Sequence, residues 1–249
     1  MSPVAVSKMH GTLNDFIVLD QRTQTIDDLA QFARAVCNRR SGIGADGVIV
    51  LLPSDRADAR MRVINADGSE AEMCGNGMRC AIRFLCERGE GDRFRIETLA
   101  GIIGAEVLDK GEIYHIRLDM GVPQFPAPTR AVNGATYVSM GNPHAVIFVA
   151  DIGAFDLPAA GEMMPELNVH AAHVEDRHHM SVRHYERGVG LTQACGTGAV
   201  ACAAAAMQRG LVDMPVTVQV PGGTLEVDWD GTGSAYLTGP AVRVFDARI

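Results

Sequence analysis

Cys74-Gly75-Asn76-Gly77 recurs, changed at one position, as Cys195-Gly196-Thr197-Gly198. Each copy opens a run of helix-favouring residues that closes on Arg-Gly, at Arg88-Gly89 and Arg209-Gly210. The distance from Cys to the closing Gly is the same in both, 74 to 89 and 195 to 210. A chain of 249 residues with this repeat reads as an internal duplication, each half a sheet with one dominant helix led by Cys-Gly-x-Gly. The expected fold class is α/β (α+β), with two similar domains, each a mostly antiparallel sheet with one dominant helix.

The halves separate where composition shifts. Three strands, Phe94 to Thr98, Ile102 to Leu108 and Ile113 to Leu118, form a meander in the first half. Near Asp119-Met120-Gly121-Val122-Pro123 the chain turns to Pro and Ala as far as Pro128, with turn residues again at Asn133-Gly134. The boundaries are therefore 1–119 for the domain carrying Cys74 and 120–238 for the domain carrying Cys195. Elsewhere Asp27 to Asn38 reads as a helix, and Val48 to Leu52 as a buried strand. Leu108 to Glu112, with Lys110, reads as an exposed turn. The Gly-rich turn Gly42 to Gly47 precedes a strand and no Lys follows it, which disfavours a phosphate loop.

The net charge of −8 argues against nucleic acid or an anionic membrane as the main partner, since both need a basic surface. No stretch has the length of a membrane span, and residues 1–11 hold no apolar run long enough for a signal peptide, so the expected location is the cytoplasm. The six cysteines form no Cys-x-x-Cys pair and are expected to be thiols. His170, His173, His178, His179 and His184 fall close together, but their spacing matches no zinc motif, and they read as a solvated strand pair. Only two lysines are present, Lys8 and Lys110, so Schiff-base chemistry has poor candidates.

A Cys at a helix N-terminus meets unpaired N–H groups and the positive end of the dipole, which favours its thiolate and should bring its pKa toward neutrality. The glycines let a ligand approach the backbone. Two such termini facing one another would hold one carboxylate and place a sulfur on each side of the adjacent carbon. One thiolate could then remove the α-proton of an amino acid and the other thiol return one, with neither metal nor pyridoxal phosphate. The helix termini would stabilise the charge that develops on the carboxylate. His144, after Gly141-Asn142-Pro143, or Glu186, before Arg187-Gly188, could accept a thiol proton.

Several motifs resemble those of the diaminopimelate epimerase family. They are Met9-His10-Gly11 with Asn14-Asp15-Phe16, Gly42 to Gly47, Asn65 to Glu70, Met73 to Arg79, Met140 to His144, Glu186 to Gly190, Ala194 to Gly198, Pro221-Gly222-Gly223 and Thr238 to Ala241. The resemblance implies interconversion of LL- and meso-diaminopimelate in lysine and cell-wall precursor synthesis, without a cofactor. It implies Cys74 and Cys195 as the acid/base pair and His144 and Glu186 as helpers. It further implies that Asn14, Asn65, Asn142, Asn168 and Arg187 read the distal end of the substrate, with the α-carboxylate on the Gly75-Asn76 and Gly196-Thr197 backbone. The family's fold is two similar domains, each a curved, mostly antiparallel sheet around a central helix, with the site between them; the C-terminal strand (239–249) returns to the first domain, and a homodimer is the usual assembly. Leu13 stands where the family usually has Gly, Leu191 where many members have Glu, and His170-Ala171 where Glu and an aromatic are common. The alternative is a cofactor-independent racemase of the histidine or proline type, which would use the same pair of thiols. A non-catalytic binding protein is disfavoured by the presence of both Cys with His144 and Glu186.

Overall fold

The computed structural model describes residues 3–127 and 134–249. The part of the interdomain reading that falls on 128–133 lies outside the described residues. Two compact units form, Met1–Leu118 with Gly239–Ile249, and Asp119–Thr238.

The first unit holds β1 (Ala5–Gly11), β2 (Asn14–Asp20), α1 (Leu29–Val36), β3 (Gly47–Leu52), β4 (Ala59–Asn65), β5 (Glu70–Ala71), α2 (Gly75–Cys86), β6 (Arg93–Thr98), β7 (Gly101–Lys110) and β8 (Tyr114–Asp119). The second holds β9 (Ala135–Ser139), β10 (Pro143–Phe148), α3 (Leu157–Glu162), β11 (Asn168–Val174), β12 (His179–Glu186), β13 (Gly190–Thr192), α4 (Gly196–Gln208), β14 (Val216–Val220) and β15 (Gly223–Asp228). The last strand, β16 (Tyr236–Arg248), pairs with β15 through Tyr236 to Thr238 and then with β1 through Val242 to Arg248.

The duplication is visible in the pairing. The first unit orders its strands β1-β2-β3-β4-β6-β7, and the second orders its strands β9-β10-β11-β12-β14-β15. In each, the first pair is antiparallel, the second parallel, the third antiparallel, the fourth parallel and the fifth antiparallel. Each also carries a short strand on its fourth member, β5 on β4 and β13 on β12. From β3 to α2 and from β11 to α4 the two copies keep a constant offset of 121, so Ile49 matches His170, Val63 matches His184, Asn65 matches Glu186 and Asn76 matches Thr197.

The helices α2 and α4 are the centres of their units. All residues of α2 are buried, and it packs on β1, β2, β3, β4 and β7. The Ala-rich α4 packs on β9, β10, β11, β12, β14 and β15. Small side chains allow that burial on every side, where a one-faced amphipathic helix would not fit.

Some sequence expectations are corrected. Lys110 is the last residue of β7, so the strand runs two residues beyond Leu108 before turning. The helix expected over 27–38 is shorter, capped by Asp28, whose carboxylate accepts from Gln31 N–H. The histidine-rich stretch is not a solvated strand pair throughout, because His170 and His184 are fully buried and lie opposite each other on β11 and β12.

The β1–β2 hairpin turns on Thr12 and Leu13, both with positive φ (49° and 61°). A two-residue loop of this hand matches the twist of the strands but suits Gly or Asn better than Leu. The Leu13 side chain is exposed, so it recovers little by packing. Leu13→Gly should therefore stabilise the protein by about 1 kcal/mol, read as a higher urea midpoint; an unchanged or lower midpoint would contradict the strain.

Candidate active site

Each Cys-Gly-x-Gly sits where a strand ladder ends and a central helix begins. Cys74 is the N-cap of α2 in extended backbone, and its Sγ accepts from the Gly77 N–H at 3.4 Å. Cys195 is the N-cap of α4 in the same backbone region, without a side-chain cap bond. The second glycine of each motif is required by packing. A Cβ on Gly77 would lie 2.5 Å from Ile49 Cδ1, and one on Gly198 would lie 2.6 Å from His170 Cε1. The first helical turn thus rests directly on the sheet.

In the first unit a polar cluster orients Asn14 and Asn76 around Cys74. Asn14 Oδ1 lies 3.6 Å from Cys74 Sγ and accepts from Asn76 Nδ2 at 3.2 Å. Asn14 Nδ2 donates to Asp46 at 2.8 Å. Asp46 is held by Arg39 at 2.8 Å, and Arg39 also donates to Asp15 at 2.7 Å. Lys8 pairs with Asp15 as well and donates to the Gly44 carbonyl. Burial alone would raise the Asp15 pKa, but the hydrogen bonds from Arg39 and Lys8 prevail and hold it at about 2. Beneath the helix start lies Arg79, fully buried, donating to Asn76 Oδ1 at 2.8 Å, to Thr12 Oγ1 at 3.1 Å and to the Pro240 carbonyl at 2.9 Å. Burial lowers its pKa to about 10, which leaves it a cation at neutral pH. Sequence reasoning passed over Arg79, which stands within the motif Met73 to Arg79 but looks like an ordinary helix-surface residue. Asn65 ends β4, and its side chain donates to Ser69 Oγ at 2.9 Å.

In the second unit Cys195 is buried and has two side-chain neighbours. Thr197 Oγ1 lies 3.6 Å from its Sγ, and Glu186, the last residue of β12, is near enough for its negative charge to act on the thiol. The expected fall of a helix-terminal thiol pKa does not occur here. Burial, and then the negative charge of Glu186, push the Cys195 thiol well up. The desolvation of a sulfur shut inside the unit outweighs the helix dipole. Asn142 reaches Thr197 Oγ1 at 3.4 Å. Asn168 Oδ1 accepts from the Arg187 backbone N–H at 3.1 Å, and its Nδ2 donates to the Pro143 carbonyl at 3.1 Å. The Arg187 guanidinium is exposed and has no ion-pair partner among the described residues. His144 uses both ring nitrogens, Nε2 with Asn142 Oδ1 at 2.8 Å and Nδ1 with His170 Nε2 at 2.8 Å. Its link to Cys195 therefore runs through Asn142 and Thr197.

So within the first unit Cys74, Asn14, Gly75 and Asn76 come together, with Asn65 at the end of β4. Within the second, Cys195, Gly196, Thr197, Glu186, Asn142 and His144 come together, with Asn168 holding the Arg187 backbone. The family model of diaminopimelate epimerase matches residues 6–126 and 136–244. The chain belongs to the diaminopimelate epimerase family. It is similar to the diaminopimelate epimerase of Moorella thermoacetica, 43% identical with 96% of each chain covered. The diaminopimelate epimerase of Cupriavidus necator is 42% identical, with 98% of this chain and 96% of that one covered. Among solved structures, a phenazine biosynthesis protein of Bacillus anthracis gives a TM-score of 0.78 at 20% identity, covering 100% of this chain and 99% of its own. A hydroxyproline epimerase of Agrobacterium vitis gives 0.72 at 16% identity, covering 100% of this chain and 91% of its own. Those two likenesses show the fold, in line with the α+β reading of two similar sheet-and-helix domains.

Because Glu186 helps raise the Cys195 thiol, neutralising it should lower that thiol's titration midpoint. Glu186→Gln is expected to speed alkylation of Cys195 by iodoacetamide at pH 8, followed residue by residue by mass spectrometry. An unchanged or slower rate would contradict the electrostatic coupling.

Proposed function

We propose that this chain is an isomerase that interconverts the LL and meso isomers of 2,6-diaminopimelate, using Cys74 and Cys195 as its acid/base pair and no cofactor. The observation that carries the reading is the duplicated Cys-led helix, one in each unit, in a chain about 40% identical to diaminopimelate epimerases over nearly its whole length.

Inversion at an α-carbon needs a proton removed from one face and another delivered to the opposite face. Two groups of the same chemical kind suit this, because their roles exchange in the reverse direction. In one direction a thiolate takes the α-proton and the electron pair of the C–H bond passes into the carboxylate as enolate character. The second thiol then protonates the carbon, and the first leaves as thiol. The backbone N–H groups of Gly75, Asn76, Gly196 and Thr197 are the donors for the developing charge. Glu186 is the base that draws the proton from Cys195 when that residue must act as thiolate. Asn14 offers Cys74 an acceptor for its S–H. His144 acts through Asn142 rather than as a direct base.

The distal carboxylate and amine of the substrate are read by Arg187 with Asn14, Asn65, Asn142 and Asn168. Arg187 supports this because its guanidinium is exposed and unpaired among the described residues, ready for a bidentate carboxylate bond. The product serves lysine and peptidoglycan precursor synthesis. The reading takes the enzyme as a cytoplasmic homodimer, as the family resemblance implies; no helix among the described residues is long and apolar enough to cross a membrane.

The test is exchange of the α-proton in deuterated water over LL-diaminopimelate, histidine and proline. Exchange confined to diaminopimelate is expected; exchange with histidine or proline instead would move the chain to the other racemases. Cys74→Ala and Cys195→Ala should each lower kcat for epimerisation by at least about a thousandfold. Near-normal turnover by either would end the two-thiol mechanism. Arg187→Ala should raise KM by about tenfold to a hundredfold through loss of a charge-assisted hydrogen bond, and an unchanged KM would remove the distal-carboxylate role.

A further inference from the structure

Three buried imidazoles form a continuous chain in the second unit. His144 Nδ1 meets His170 Nε2 at 2.8 Å, and His170 Nδ1 meets His184 Nδ1 at 2.9 Å. The rings of His170 and His184 stand edge to face, 4.9 Å apart. All three are essentially inaccessible to solvent. The fold itself does not call for them. At the matching positions of the first unit the chain places Phe16, Ile49 and Val63, in the same registers: Phe16 opposite Gly47 as His144 is opposite Asn168, and Ile49 opposite Val63 as His170 is opposite His184. Even the packing on the central helix is conserved, with Gly77 over Ile49 and Gly198 over His170. An apolar trio fills this space in one copy, so the polar trio in the other needs a reason beyond packing.

The Asn142–Thr197 contact sets a direction for the hydrogen bonds. Asn142 Nδ2 donates to Thr197 Oγ1, so Asn142 Oδ1 is turned to His144 and accepts the proton carried on His144 Nε2. Burial depresses the pKa of all three imidazoles, keeping them neutral, so each carries one N–H. His144 Nδ1 is then bare and accepts from His170 Nε2–H. His170 Nδ1 is bare in turn and accepts from His184 Nδ1–H. That leaves a bare Nε2 on His184, which is one of the buried side-chain atoms without a hydrogen-bond partner among the described residues. The opposite direction would strand an N–H there instead, and would require the Asn142 amide to turn its nitrogen away from Thr197. At the other end, Thr197 accepts from Asn142, so its own hydroxyl proton is free to point at Cys195 Sγ, 3.6 Å away.

We propose that His170 and His184 are positioning residues that, through His144, Asn142 and Thr197, keep a hydrogen-bond donor aimed at the sulfur of Cys195. The proposal rests on the reading of Cys195 as an acid/base thiol. Cys195 faces two side chains of opposite tendency. Glu186 accepts the thiol proton, and the Thr197 hydroxyl steadies the sulfur once that proton has gone. Were the chain to reverse, Thr197 would donate to Asn142 and the thiolate would lose its side-chain donor. The first unit needs no such device, since Asn14 and Asn76 are oriented by the Asp46, Arg39 and Arg79 cluster.

The experiment is long-range proton–nitrogen NMR on the full chain labelled with ¹⁵N-histidine, at pH 7. The expected tautomers are Nε2–H for His144, Nε2–H for His170 and Nδ1–H for His184, all neutral. The reversed set, or any of the three as a cation, overturns the proposal. His184→Phe then removes the donor that fixes His170. In this variant, with its fold checked by circular dichroism, the Cys195 alkylation midpoint is expected to rise by about one pH unit. Turnover in the direction that uses Cys195 as base should fall by about tenfold with KM within about twofold, and His184→Gln should recover most of the loss. An unmoved midpoint in folded His184→Phe overturns the proposal whatever the activity. Alkylation needs no turnover, so a protein that ignores diaminopimelate yet shows the tautomers and the shifted midpoint would sink the substrate reading and leave the positioning role standing.

Discussion

Everything in each unit depends on how closely a central helix can press its first turn onto the sheet. The second glycine of each Cys-Gly-x-Gly permits this, since any side chain there would enter Ile49 in one unit or His170 in the other. With the helix seated, its N-cap Cys ends up where the strand ladder gives way to the helix, and in the second unit the last residue of the fourth strand acts on that Cys. Asn65 holds that strand end in the first unit and Glu186 in the second. The thiol's position, its polar neighbours and the supply of free N–H groups all follow from one tight helix–sheet contact.

The duplication sharpens what is functional. Two copies of the same topology solve the same packing problem, so a difference between matched positions is informative. Where Asn65 becomes Glu186, a neutral amide bonded to Ser69 gives way to a carboxylate whose charge acts on a buried sulfur. Where Phe16, Ile49 and Val63 become His144, His170 and His184, an apolar layer becomes a directed hydrogen-bond chain. Burying three imidazoles costs more than burying hydrocarbon unless they bond one another. They do so with contacts of 2.8–2.9 Å, which makes the chain an all-or-nothing arrangement. The two thiols thus sit in unlike surroundings built on a like frame: a buried guanidinium and amides around Cys74, a carboxylate and a hydroxyl around Cys195.

Much of this was legible in the residues. The repeated motif and its constant spacing announced two Cys-led helices, and the glycine and proline punctuation showed where strands end. Less visible was α3, six residues long with no periodic signal of its own. The histidines of β11 and β12 read as solvated because imidazole is polar and their partners are distant in sequence: His144 and His170 are 26 residues apart and meet only through the parallel pairing of β10 with β11. Arg79 was passed over for the related reason that a guanidinium on a helix usually points to water, whereas a helix enclosed by strands offers it none.

The sequence by itself determined the duplication, the two thiols at helix N-termini and the family to which the chain belongs. These rest on local features: a Cys before Gly-x-Gly, helix-favouring runs of equal length, turns marked by glycine. Only the tertiary structure decided what surrounds each sulfur. The helix dipole alone favours a thiolate at both positions, yet enclosure of Cys195 beside Glu186 drives its thiol the other way, because desolvation of a charge grows with burial and burial is a property of the assembled sheet. The same assembly turned three scattered histidines into one oriented chain, since only strand register brings their nitrogens into line.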